Sequence, residues 1–253
     1  MLTIVGWLWR DKHCRNQYFP EHANAWARAI HRNLTLPHRF VLLTDKPKWK
    51  FDPLIEKIPL WDDWRNVRSE AWREEFPQCL VRLKAFSRDM RAILGDRFVS
   101  IDLDCSVVGN LDAILGRTED FLICLRPLPR RSVNIYQARM WMMNAGAREN
   151  VWLDFKGAKS LRKIAQEFAP EVARHYLATD QGWLLYKLGR HEAGWKANDG
   201  VYFWPWLKET GRDQDLPKNA RIVFFPGMEK PWMAESTPYW MSHRTANEQP
   251  SEI

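Results

Sequence analysis

Apolar residues recur along this chain with two different periods, and the switching between them predicts an α/β protein. Thr3 to Trp9 is a short apolar run that reads as a first strand. After Phe19-Pro20-Glu21 the period changes. Ala23, Trp26, Ala27, Ile30 and Leu34 fall on one helical face, with Pro20 near the start and Pro37 past the end. Phe40-Val41-Leu42-Leu43-Thr44-Asp45 is a second strand that ends on a polar pair, and Pro53 to Leu60 carries a third around Ile55 and Ile58, cut short by Pro59. Trp61 to Pro77 has no clean period and reads as a surface loop or an irregular helix. Leu80 to Leu94 predicts a helix with Leu83, Phe86, Met90 and Ile93 as its apolar stripe. Strand, helix, strand in this rhythm predicts a mixed, mainly parallel sheet flanked by helices, with ligands at the carboxyl ends of its strands.

The second part of the chain continues the pattern. Phe98, Val99, Ile101 and Leu103 form a run with the length of a buried strand, and Val107-Val108-Gly109 follows it. A short helix over Leu111–Leu115 ends at Gly116, and Phe121 to Leu125 is another strand. Pro127 to Arg131 is a basic, Pro-broken loop. Val133 to Gln137 and Met140 to Gly146 are two further apolar runs. Ser160 to Tyr176 predicts a helix with Pro170 as a break, and the aromatic segment Val201 to Leu207 suits either an acceptor groove or core. No repeat or linker divides the chain, so one domain is expected over 1–245, followed by a frayed polar tail, 246–253.

Asp102 and Asp104 stand where the central strand ends. At i and i+2 their side chains share a face, and two carboxylates that close repel unless a cation or proton lies between them. A hard divalent cation with oxygen ligands resolves that conflict; a plain turn cap is the alternative reading. Arg82 and Lys84 lie near the start of the expected Leu80–Leu94 helix, where N–H groups and dipole favour an anion. Thr179 and Asp180 make good N-caps for the helix that follows.

Arg82-Leu83-Lys84, then Val99-Ser100-Ile101-Asp102-Leu103-Asp104, then Val107-Val108-Gly109-Asn110-Leu111 match glycosyltransferase family 8 in type, order and spacing. That family reads Arg-Leu-Lys, Leu-Tyr-Leu-Asp-x-Asp-x-x-Val, Gly-(Asn/Asp)-Leu. The chain therefore resembles the metal-dependent, nucleotide-sugar glycosyltransferases of GT-A fold. Asp180-Gln181 resembles the family's Asp-Gln-x-x-Leu box. Gly227, Lys230, Pro231 and Trp232 match its His-(Phe/Tyr)-x-Gly-x-x-Lys-Pro-Trp signature. The resemblance implies a GT-A-like (Rossmann-like) domain transferring a sugar, with retention, from a UDP-sugar to a saccharide, lipid-linked or protein acceptor. It implies Mn²⁺ or Mg²⁺ on Asp102 and Asp104, and Arg82, Gly227 and Lys230 at the donor diphosphate. Asp180 and Gln181 would face the sugars. Trp7, Trp9 and Asp45, at the ends of the first two strands, are the candidates for base stacking and a polar nucleotide contact, with core packing as the other reading of the tryptophans. The family's Asn-(Ser/Ala)-Gly-Val-Met strand has two placements. Asn134 has the better distance from Asp102-x-Asp104, and Asn144-Ala145-Gly146 has the better letters. One departure stands out: the His that is the family's third metal ligand is Phe224 here, so either Asp102, Asp104 and phosphate oxygens alone hold the ion or another group steps in, with His243 the obvious substitute.

Charge adjusts this reading little. The net charge of +7 suits phosphate-bearing ligands. Arg and Lys are scattered rather than clustered, which argues against a nucleic-acid footprint. Cys14, Cys79, Cys105 and Cys124 are far apart and read as reduced thiols of a cytoplasmic protein. No run reaches membrane-spanning length, so membrane contact would be peripheral at most. A binding module of the same fold without catalysis, and a basic nucleic-acid binder, are the competing classes.

Overall fold

A computed structural model describes residues 1–10, 17–69, 79–126, 135–177 and 179–233. Strand β1 (Leu2–Leu8) is buried along its whole length, and β2 (His38–Thr44) is buried from Phe40 onward. Helix α1 (Pro20–Arg32) joins them and turns Ala23, Trp26, Ala27 and Ile30 inward, as the spacing predicts. Strand β3 (Ile55–Pro59) pairs only with β2 and forms an edge. Pro59, which has no N–H to give, ends that ladder opposite Thr44.

The span Leu80–Leu94 departs from the expected helix. It consists of two 3₁₀ segments, Leu80–Phe86 and Arg88–Met90, and a single α-turn, α2 (Arg91–Leu94). Ser87 is extended at ψ 140°, and its hydroxyl accepts from the Asp89 N–H to start the next turn. The physical reason is burial. Leu80, Val81, Arg82, Leu83, Ala85 and Phe86 are all inside, so the segment lacks the solvent face an amphipathic helix needs.

Strand β4 (Arg97–Ile101) runs beside β1. Then follow β5 (Cys105–Val107), α3 (Asp112–Leu115) and β6 (Phe121–Leu125). The two apolar runs expected around 133–146 are one strand, β7 (Tyr136–Asn144), antiparallel to both β4 and β6. Helices α4 (Asn150–Leu153), α5 (Ala158–Glu167), α6 (Pro170–Leu177) and α7 (Asp180–Leu188) come next. The helix expected over Ser160–Tyr176 is thus two. Phe168 is extended and Pro170 opens the second, because proline cannot donate to the preceding turn. Strand β8 (Gly194–Trp195) completes the main sheet, and β9 (Val201–Phe203), α8 (Trp204–Glu209) and β10 (Ile222–Phe224) close the described chain.

The main sheet has seven strands in the order β3-β2-β1-β4-β7-β6-β8, with β7 alone opposed to the rest. This is the mixed, mainly parallel sheet the periodicity predicts. Both faces are covered. Ile4, Leu42, Val99, Ile101 and Met142 pack on one side, under α1. Val5, Val41, Phe98, Trp141 and Met143 pack on the other, under the 80–94 segment and α7. A small second sheet, β5-β10-β9, fastens the residues after Asp104 to the end of the described chain. Its β9 answers the open reading of Val201 to Leu207: Val201, Tyr202, Phe203, Trp204 and Leu207 are buried. Among the described residues no helix is long and apolar enough to cross a membrane.

The pairing of β8 with β6 leaves no room for a side chain at Gly194. A Cβ there would lie 2.1 Å from the Ile123 carbonyl oxygen. Gly194→Ala is therefore expected to cost about 1–3 kcal/mol. The check is a lowered urea midpoint at unchanged m-value.

Candidate active site

One edge of the main sheet collects the carboxyl ends of β1, β2 and β4 together with the start of β7, because β7 runs antiparallel to β4. Strand β4 ends at Ile101, and the Asp102 N–H donates to the Arg139 carbonyl of β7 at 2.8 Å. From here the chain bends so that the Asp104 carbonyl accepts from the Phe225 N–H at 2.9 Å. The two carboxylates are thus held from both sides by backbone, and they converge.

Arg82 is the hub on one side. Its Nη1 donates to Asp102 Oδ1 at 2.7 Å, its Nε to Asp180 Oδ2 at 2.8 Å, and its Nη2 to the Ala138 carbonyl at 2.9 Å. Asp180 opens α7, where Thr179 caps the helix through its hydroxyl, which accepts from the Gln181 N–H. Gln181 reaches β7 as well: its Oε1 accepts from the Ala138 N–H at 3.4 Å. Arg82, Asp102, Asp180 and Gln181, far apart in sequence, therefore meet around the start of β7.

On the other side stand three donors to Asp104. Lys230 Nζ lies 2.5 Å from Asp104 Oδ2 and also donates to the Phe225 carbonyl. The Tyr18 hydroxyl donates to the same oxygen at 3.1 Å. Arg139 Nη1 donates to Asp104 Oδ1 at 3.0 Å and reaches Asp102 Oδ2 at 3.3 Å, so one nitrogen spans both carboxylates. Gly227 lies in the loop between Phe225 and Lys230 at φ +97°, a left-handed conformation that only glycine takes without strain.

The charges set each other's state. Burial pushes the Asp104 carboxyl up, but Arg139 and Lys230 outweigh it and hold it below the usual carboxylate range. Burial dominates at Asp102, whose carboxyl is raised in spite of Arg82 and Arg139, and at Asp180, raised against Arg82. Burial alone would lower Arg82; Asp180 and Asp102 hold it far above its ordinary value. Asp102 and Arg139 are the open members of the cluster, with side chains 22% and 21% exposed, so a ligand would arrive there.

The remaining sequence candidates fall as follows. Trp7 is a core residue: its indole N–H donates to Ser100 Oγ and its ring stands edge-on to Trp61. Asp45 accepts from the Arg10 N–H and pairs with Arg65. Asn144 lies at the wrong end of β7. Its Oδ1 accepts from Arg97 at the start of β4, which removes the Asn144-Ala145-Gly146 placement. Asn134 and His243 lie outside the described residues. Among the described residues, Cys79, Cys105 and Cys124 form no disulfide. Arg139 and Tyr18 were missed. The available signal for Arg139 was a charge amid apolar strand residues, but the sequence divides into one run ending at Gln137 and another beginning at Met140, leaving Ala138-Arg139 between them.

The contacts of Asp102 and Asp104 do not fit the Mn²⁺ or Mg²⁺ that the resemblance implies there. All four carboxylate oxygens already accept from Arg82, Arg139, Lys230 or Tyr18. Two unit charges 4 Å apart repel by about 4 kcal/mol at an effective dielectric of 20, and a divalent ion doubles that against each guanidinium. Phe224 offers no donor: it is fully buried in β10 with its ring 6.0 Å from that of Phe203. Among the described residues no group of three His, Cys, Asp or Glu side chains is placed to hold a metal.

The fold places the chain among proteins of GT-A architecture. Solved structures of the galactosyltransferase LgtC share it. One, of an active-site Gln-to-Glu mutant, superposes with a TM-score of 0.60 at 11% identity over 95% of this chain and 93% of that one. Another, LgtC with donor and acceptor sugar analogs, gives 0.58 at 12% identity over 97% and 98%. The glycosyltransferase GlyE of Streptococcus pneumoniae TIGR4, in its apo form, gives 0.56 at 12% identity over 96% of this chain and 60% of its own. No protein-family model matches the chain, and no curated protein matches it either.

Removing Arg82 strands the buried Asp180 carboxylate and takes one of its two cations from Asp102. Arg82→Met is expected to destabilise the fold by about 3–5 kcal/mol, as for any buried pair broken on one side. Lys84, paired with Asp63 at the surface, is the control: Lys84→Met should cost about 0–1 kcal/mol. Urea unfolding of the two variants checks the contrast.

Proposed function

We propose that this chain is a glycosyltransferase that moves a sugar from a nucleoside diphosphate sugar, a UDP-sugar first among them, to a saccharide, lipid-linked or protein acceptor. One observation carries the reading. Arg82, Asp102-x-Asp104, Asp180 and Lys230 lie far apart in sequence, yet with Arg139 they close into a single ion-pair network at the carboxyl edge of the sheet. Open α/β sheets bind their ligands at that edge.

Within this reading the cations Arg82, Arg139 and Lys230 meet the donor diphosphate, where charge grows as the nucleotide departs. Gln181 touches a donor sugar with its side-chain amide, and Asp180 is a positioning residue that holds Arg82 and the start of α7. Retention of anomeric configuration follows from the resemblance. The LgtC structures support the assignment to Gln181: an active-site Gln was the residue altered there, and the same fold held donor and acceptor sugar analogs. The catalytic unit spans 1–245, a cytoplasmic location goes with it, and no step in it is routed through a divalent ion.

The first test is thermal stability with UDP, GDP, ADP and CMP. A nucleotide at about 100 times its dissociation constant adds roughly 2.7 kcal/mol. A shift confined to UDP is expected, followed by hydrolysis of a UDP-sugar. Gln181→Ala should keep the UDP shift and lower sugar turnover by about a hundredfold. A folded protein that neither shifts with any nucleotide nor consumes any donor would overturn the proposal.

A further inference from the structure

Resting on the transferase reading above, we propose that Arg139 takes the part of the divalent cation in the resembled family, so that nucleoside diphosphate binding here needs no metal. The placement carries the argument. Arg139 Nη1 sits between the two carboxylates, within hydrogen-bonding distance of Asp102 Oδ2 and both Asp104 oxygens, where an ion shared by the pair would lie. Lys230 and Tyr18 fill the rest of Asp104.

The strand pattern agrees. Near the start of β7 the chain reads Gln137-Ala138-Arg139-Met140-Trp141, so a single charged side chain stands among apolar strand residues beside the acidic pair. The same chain has phenylalanine where the signature has its ligating histidine. A metal ligand is lost and a fixed cation is gained at one site.

A further observation points to a ligand. The Arg139 Nε–H is buried and has no acceptor among the described residues, although buried N–H groups ordinarily have one. Nη1 is committed to the carboxylates, and the side chain is partly open to solvent. A phosphate oxygen supplies what Nε lacks. A guanidinium suits this role: it keeps its charge at any working pH, and its planar fork matches phosphate oxygens. A bridging metal would bind carboxylate and phosphate together, and Arg139 does the same by donating to the carboxylates with one nitrogen and to the diphosphate with the others.

The experiment uses the full chain and two probes. Mn²⁺ alone is titrated in, with the free ion followed by electron paramagnetic resonance. UDP is titrated by calorimetry in EDTA and again in Mn²⁺. The expected results are no Mn²⁺ site up to millimolar ion, and UDP affinities in the two buffers within about twofold, well under the tenfold that 1.4 kcal/mol represents. Arg139→Ala should weaken UDP by about tenfold or more, as loss of a charged hydrogen bond does. Arg139→Gly, which clears the carboxylates, should make the remaining binding depend on Mn²⁺. Uptake of one Mn²⁺ by the wild type, with UDP tightened about tenfold by it, would overturn the role of Arg139 and leave the transferase reading intact. Failure of every nucleoside diphosphate to bind in either buffer would instead sink the transferase reading, and the role with it. The wild-type titrations decide the matter even where a variant fails to fold.

Discussion

The buried guanidinium of Arg82 is the constraint on which the site depends. It ties the end of β4 through Asp102, the start of α7 through Asp180 and the backbone of β7 through Ala138. Desolvating a charge is costly, and only the full set of partners offsets it. That requirement explains the irregular 80–94 segment. A regular amphipathic helix would carry one face to solvent, whereas the 3₁₀ turns bring Arg82 inside with apolar neighbours on nearly every side.

Asp104 is the counterpart on the far side. Lys230 arrives through the loop after β10, and the small sheet β5-β10-β9 fixes that loop by pairing β10 with β5, just past Asp104. The backbone bond from Phe225 to the Asp104 carbonyl adds to it. Charge balance in the cluster is close: three carboxylates, Asp102, Asp104 and Asp180, face three cations, Arg82, Arg139 and Lys230. A neutral, prearranged cluster costs little to reorganise when an anion arrives, which is the condition for electrostatic stabilisation of a departing phosphate.

Fold and site chemistry rest on different parts of this chain. The fold follows from backbone pairing, and it is shared with LgtC and GlyE at 11–12% identity. Site chemistry rests on a few side chains and changes more readily than the frame around them. Phe224 and Arg139 show this. Both sit on well-formed strands, and Arg139 sets what the two carboxylates meet.

What the sequence determined by itself is local. The periods of β1, α1 and β2, the run leading to Asp102-x-Asp104, the cap at Thr179 and Asp180, and the Gly227-x-x-Lys230 loop were all legible, because each depends on residues a few positions apart. The partners were not. Arg139 meets Asp102 and Asp104 only because β7 runs antiparallel to β4 in one register, with Ile101 opposite Met140. A shift by one residue would turn Arg139 into the core and Met140 toward the carboxylates. Tyr18 reaches Asp104 across 86 positions, and Lys230 across 126. Such pairings are set by strand register and core packing over the whole chain, so the tertiary structure alone decided which cations surround the acidic pair.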